Sequence, residues 1–210
     1  MKQEFPKKYD LQLEQEMYSL WEKEQAFLPA SERTHHTKST KKGAKTAAND
    51  TFMMTLPPPN VTGVLHVGHG LMLAIEDAII RYNRMQGKDT LWLPATDHAG
   101  IATQVKVEDK LRAEGKDRES LGRDVFLRHV WDWAIKSRDT IIGQTKRMGA
   151  SLDRSREEFT LSEKLSRAVR KSFANLHNQG KVYEGTRIVN RSVGTQSVIS
   201  DLEVVYKEEE

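Results

Sequence analysis

The 210 residues contain no cysteine, which excludes a disulfide scaffold and any cysteine-ligated zinc and fits a reducing compartment. No apolar run is long enough to suggest a membrane span. The opening MKQEFPKKYD has no apolar segment of the kind that directs secretion, so the cytoplasm is the expected location. Neither sign of charge is much in excess: 33 Lys+Arg against 30 Asp+Glu leave a formal +3, too little to name nucleic acid as a partner from composition. Proline is scarce as well, yet three of the six stand together in LPPPNVTGVLHVGHG, residues 56–70. Packing alone does not call for three prolines, four glycines or asparagines and two histidines between an apolar run and a helix.

The remaining residues are enough for one or two globular domains. In YDLQLEQEMYSLWEKEQAF, residues Leu11, Met17, Leu20, Trp21 and Phe27 recur near helical spacing, predicting an N-terminal helix within residues 1–30 that packs on the main domain. Residues 31–50 carry five Lys/Arg against two acids and almost no large apolar residue, the pattern of a flexible basic linker. His35 and His36 within it are poor candidates for metal ligands.

Beyond the linker a strand–loop–helix pattern repeats: TFMMTL, the proline–histidine motif and a helix, then DTLWLP, the motif ATDHAG and another helix. Leu71, Ile75, Ala78, Ile79 and Tyr82 give the first helix an apolar stripe, and Gly87 a stop. Short apolar strands alternating with helices predict an α/β fold, a doubly wound parallel sheet covered on both faces. Ligands bind such sheets beyond the carboxyl ends of the strands, where both motifs fall.

Residues 57–59 cannot donate ladder hydrogen bonds, so the first strand stops by about Leu56. Gly63, Gly68 and Gly70 allow close approach to a ligand or a positive φ. His66 and His69, three apart at a helix start, put both imidazoles beside free N–H groups and the positive end of the helix dipole, where a phosphate fits. A capping or core role, or a metal shared with Asp97 or His98, are the competing readings of the pair. Asp97 can pair a cationic substrate group or cap the next helix. Further on, residues 117–149 read as helix, interrupted near residues 137–140, with Phe126, Val130, Trp131 and Trp133 as packing anchors. Thr160 and Glu163 match a capping box ahead of a core stripe of Leu161, Leu165, Ala168, Val169 and Leu176, ended by Gly180.

HVGH resembles the histidine-glycine-histidine signature of the class I aminoacyl-tRNA synthetases. With PPPNVTG, ATDHAGIATQ, GASLDRSREEFT and RIVN followed by ISDLEVVY, in order over roughly residues 51–206, the chain resembles the valyl-tRNA synthetases in particular. Isoleucyl and leucyl relatives usually differ at Asn60-Val61-Thr62 and Asp97-His98-Ala99.

The resemblance implies the first half of a Rossmann-like sheet over residues 51–186, and the start of an inserted editing domain over residues 187–210. It implies activation of valine by ATP, with Mg²⁺ accompanying the nucleotide, and transfer to tRNA(Val). His66, Gly68 and His69 would handle ATP, the two histidines catalytically; Asp97 would pair the α-ammonium of valine; Pro58, Pro59 and Asn60 would line the side-chain pocket. Valine synthetases themselves reject threonine only about 100-fold by binding, which is why a separate editing site is expected.

Arg154 and Arg191 stand where the family usually has tryptophan, and Ala95 where it has glycine, which bears on the local geometry at each. The lysine-rich loop that clamps ATP phosphates in the family, the second half of the nucleotide fold and the anticodon-binding helices are not among these 210 residues. Two functions follow: a valine–tRNA ligase represented by an incomplete N-terminal portion, inactive alone, or a non-catalytic nucleotide- or RNA-binding remnant.

Overall fold

The computed structural model describes residues 10–32, 50–194 and 196–208. Most of the linker expected over residues 31–50, including His35 and His36, lies outside them. The chain divides into two compact units, one up to Ser166 and one from Arg167.

The first unit begins with α1, Leu11–Lys23, whose N-cap Asp10 accepts from Gln12 N. The helix docks through Tyr18 rather than the expected Met17 and Leu20, which stay exposed. Tyr18 is buried, its hydroxyl donates to Ala150 O at 2.9 Å, and its ring meets those of Trp21 and Phe27. A polar-ended aromatic can be buried once its hydroxyl has a partner, which a count of apolar residues overlooks.

Strand β1, Thr51–Thr55, pairs in parallel with β2, Asp89–Leu93, from Thr51↔Asp89 to Thr55↔Leu93. β3, Ala95–Thr96, continues from β2 and pairs in parallel with β4, Glu158–Phe159. These are two separate two-stranded parallel pairs, linked where Glu158 N donates to Pro94 O between β2 and β3. Coverage on both faces does not hold for β1, where Thr51, Met53 and Thr55 are exposed and Met53 is 68% accessible. TFMMT alternates Thr51–Met53–Thr55 against Phe52–Met54, the period of a strand with one face open.

Helix α2, Val67–Met85, returns over this sheet. Its buried positions are Leu73, Ile80 and Asn83, whereas the expected core stripe of Leu71, Ile75, Ile79 and Tyr82 faces outward, Leu71 being 64% accessible. The inward side can be partly polar because its polar groups are paired: Glu76 accepts from Trp92 Nε1 at 3.1 Å, and Asp77 from Ser151 N at 3.2 Å. Leu56, Leu73, Ile80, Trp92, Ala150 and Leu152 form the core between α2 and the strands.

α3, Gly100–Ala113, and α5, Arg123–Arg147, enclose a second core of Val107, Leu111 and Phe126. α5 runs unbroken through residues 137–140; the interruption is at Gly122, φ 74°, which separates it from α4, Arg118–Leu121. Trp133 packs against this core, but Trp131 is half exposed and forms an edge contact with the ring of Phe159.

Arg154 is accommodated by polar partners, Glu157 at 3.2 Å and the Thr145 hydroxyl. α6, Glu163–Asn178, crosses the boundary between the units. It buries none of its residues, so the predicted core role of its stripe does not hold, although its polar and apolar faces are well separated. In the second unit, β5, Arg191–Ser192, and β6, Ser197–Val198, form an antiparallel hairpin in which Arg191 is exposed. A turn capped by Ser200 and Glu203 follows.

Candidate active site

The chain leaves β1 as expected and then rejoins the sheet. Leu56 N donates to Leu93 O, and beyond the prolines Asn60 forms a parallel bridge with Asp97. In that bridge Asp97 N donates to Pro59 O at 2.8 Å, and Val61 N to Asp97 O at 2.9 Å. The two motifs, far apart in sequence, are therefore hydrogen-bonded neighbours at the carboxyl end of the sheet. Pro59 is buried beneath this contact, while Pro58 and Asn60 are exposed. Farther along the loop, Leu65 N donates to Gln144 Oε1 of α5 at 2.8 Å, which fixes the approach to α2.

At the start of α2 the two histidines cap each other's backbone. His66 is the N-cap, its Nδ1 accepting from Gly68 N at 3.0 Å, and His69 Nδ1 accepts from His66 N at 3.2 Å. This is a capping box in which imidazoles replace the usual hydroxyl and carboxylate. The rings lie 3.9 Å apart at 38°. Because each Nδ1 receives an N–H, each neutral ring carries its proton on Nε2, the nitrogen the cap leaves unused. Burial, and after it the neighbouring His66, holds His69 below the ordinary imidazole value. The cap is therefore present and leaves each Nε2–H unused, so capping does not preclude a donor role for the pair.

Gly68 is required by the same arrangement. A Cβ there would lie 2.9 Å from His66 Cε1. None of Gly63, Gly68 and Gly70 takes a positive φ, so close approach is the reason that applies at Gly68.

Asp97 does not cap α3; the N-cap is Ala99, in the left-handed region at φ 43°, ψ 49°, with no side-chain cap. That conformation costs a residue with a Cβ roughly 1–2 kcal/mol. It aims Ala99 N at Asp97 Oδ1 at 3.2 Å, and Thr103 N, donating to Ala99 O, holds it there. Asp97 Oδ1 also accepts from the Thr160 hydroxyl at 2.8 Å. Oδ2 has no hydrogen-bond partner among the described residues, and the side chain is 34% accessible.

Thr160 is the neighbour of Asp97 that the sequence does not reveal. Its match to a capping box concealed it, yet the cap of α6 comes from Ser162, whose hydroxyl accepts from Leu165 N at 3.3 Å. Nothing local in EEFTLSE distinguishes the two hydroxyls; the signal is the strand pairing, which needs the fold. Among the described residues no group of three or more His, Asp or Glu could hold a metal, and no helix is long and apolar enough to cross a membrane.

Parallel strands followed by helices, with a histidine-bearing helix N-terminus and a carboxylate at the carboxyl ends of the strands, define an α/β fold. Residues 16–210 match the family described as tRNA synthetases class I (I, L, M and V), and the chain belongs to that family. Within it, the chain is 47% identical over 98% of its length to the chloroplastic/mitochondrial valine–tRNA ligase 2 of Arabidopsis thaliana, covering 20% of that protein. It is 45% identical over 97% of its length to the valine–tRNA ligase of Lactobacillus johnsonii, covering 22% of it. The fold is similar to that of LeuRS in a ternary LeuRS–tRNA–LeuAMS complex from Agrobacterium radiobacter K84. The TM-score is 0.68 at 17% identity, over 94% of this chain and 21% of that one. The resemblance to valyl-tRNA synthetases read from the motifs is thus borne out, and the chain spans about a fifth of the length of these relatives.

Proposed function

We propose that the chain supplies one side of the active site of a valine–tRNA ligase, which activates valine with ATP and transfers it to tRNA(Val). The observation that carries this reading is the Asn60–Asp97 bridge, which brings the proline motif and the acid into one crevice. In this reading Asp97 Oδ2 receives the α-ammonium of valine, and Pro58, Pro59 and Asn60 wall the side-chain pocket. The valine carboxylate attacks the α-phosphorus of ATP and pyrophosphate leaves; the acyl group then passes to the tRNA end. Such a reaction is accelerated mainly by positioning and by stabilising charge on phosphate oxygens. His66 and His69 provide Nε2–H donors at the positive end of α2, and Gly68 keeps the backbone close enough for the nucleotide.

With no acidic cage among the described residues, Mg²⁺ fits here only as a companion of the ATP phosphates, where it would offset their charge. Residues 187–210 fit the start of an inserted editing domain, after a catalytic portion over 51–186, a linker over 31–50 and the helix within 1–30. Further polypeptide of the synthetase is needed to complete the site. The outward stripe of α2 and the open face of β1 support that need, since both expose large apolar side chains. The cytoplasm is the compartment we assign.

Asp97→Asn tests the reading by calorimetry. It should weaken binding of valine about 30-fold or more while leaving ATP within about twofold, because only the amino acid loses its charge partner. Equal losses for both ligands would reduce Asp97 to a structural role.

A further inference from the structure

Thr160 sits at the end of β4, its backbone N–H donating to Thr96 O at 3.1 Å so that its side chain is held at the strand edge. The hydroxyl makes three contacts: Asp97 Oδ1 at 2.8 Å, His98 N at 2.9 Å and His98 Nδ1 at 2.6 Å. A hydroxyl has one proton and two lone pairs. If the proton goes to the carboxylate, which cannot donate, both lone pairs accept, one from His98 N–H and the other from a proton on His98 Nδ1. The arrangement therefore sets the tautomer of His98 opposite to that of His66 and His69. It also saturates Thr160, so the hydroxyl cannot rotate away without losing a bond. His98 Nδ1 is 3.3 Å from the same carboxylate oxygen. The ring is steadied by the edge of Phe159, the residue before Thr160, at 6.3 Å.

Asp97 Oδ1 takes the bonds from the Thr160 hydroxyl and Ala99 N and the approach of His98 Nδ1, the two His98 contacts with Thr160 hold the hydroxyl in place, and none of these reaches Oδ2. We propose that Thr160 is the positioning residue of the amino-acid site: with His98 it locks Oδ1, and so fixes the carboxylate with Oδ2 presented to the substrate's ammonium group. This inference rests on the assignment of Asp97 to that group. A threonine that merely closed the turn before α6 would need no bond to the carboxylate, and Ser162 already serves that helix.

The test uses the 210-residue chain with ¹⁵N-labelled histidine, as wild type, Thr160→Val and Thr160→Ser. Side-chain ¹⁵N spectra at pH 7.5 should show His98 protonated on Nδ1 in wild type and Thr160→Ser, and shifted toward Nε2–H in Thr160→Val, which keeps the shape but not the hydroxyl. Calorimetric titration with L-valine should show affinity lowered about tenfold or more in Thr160→Val and restored to within about twofold in Thr160→Ser. Wild-type affinity in Thr160→Val would overturn the proposal, as would a His98 tautomer unmoved by it. A His98 response as expected in a wild-type chain that does not bind valine would overturn the amino-acid assignment instead.

Discussion

His66 and His69 are held by bonds spanning two and three residues, whereas Asp97 is held by a hydroxyl 63 residues away. The first arm of the candidate site forms as soon as α2 forms, from a motif that carries its own cap. The second exists only when β4 has paired with β3 and brought Thr160 to the carboxylate. The candidate site thus combines a locally determined histidine pair with a carboxylate that depends on tertiary structure, and perturbations of the two should separate.

The largest separation should come from the core beneath β4. Leu152 is fully buried against Trp92, and Asp153 N donates to Trp92 O, tying the approach to β4 to the sheet. Leu152→Ala should lower the unfolding free energy in urea by about 2–5 kcal/mol. Hydrogen exchange should rise at Thr160 N and His98 N well before it rises at Gly70 N. Uniform loosening of both regions would show that the arms are not independent.

Gly68→Ala should act in the opposite sense. Its Cβ displaces the His66 ring and costs the cap about 1 kcal/mol, while alanine regains about 0.5–1 kcal/mol of helix propensity. Stability should change by less than about 1 kcal/mol while ATP affinity falls and valine affinity holds, as calorimetry would show. A loss of valine affinity would join what the geometry separates.

How the two arms differ explains what could be read before the fold was known. The strand end at Leu56, the histidine pair at a helix start and the stop at Gly87 were legible because prolines, glycines and caps act within a few residues. The roles of Thr160 and Ala99 were not, since EEFTLSE offers two hydroxyls and an alanine carries no mark of a left-handed φ. The face of α2 was misassigned for a related reason. Its apolar stripe is real, but Glu76 and Asp77 face inward because their partners Trp92 and Ser151 lie elsewhere in the chain. That α6 buries nothing likewise separates amphipathicity from burial: the pattern states which face is apolar, not what covers it.

The smallest effect expected is on pH. His69 titrates below the ordinary imidazole value in the folded chain, so on acidification the unfolded chain takes up its proton first. Its contribution to stability is complete above the ordinary value near 6.5 and is lost as pH falls from there through the lowered folded value. Protonation of Nδ1 would also remove the acceptor for His66 N. Urea midpoints at pH 7.5 and 5.5 should differ less in His69→Asn than in wild type. An equal difference would place the titrating group elsewhere.

The central claim, that these residues form one side of a valine-activating site, is tested most directly by valine-dependent ATP–pyrophosphate exchange. The assay compares the chain alone with a chimera in which it replaces the matching segment of the Lactobacillus johnsonii ligase. The chimera should exchange in the presence of valine, its Asp97→Asn form should be slower by about 100-fold or more, and the chain alone should give no useful rate. An Asp97→Asn chimera as fast as its parent, or a chain alone as fast as the chimera, would contradict the account.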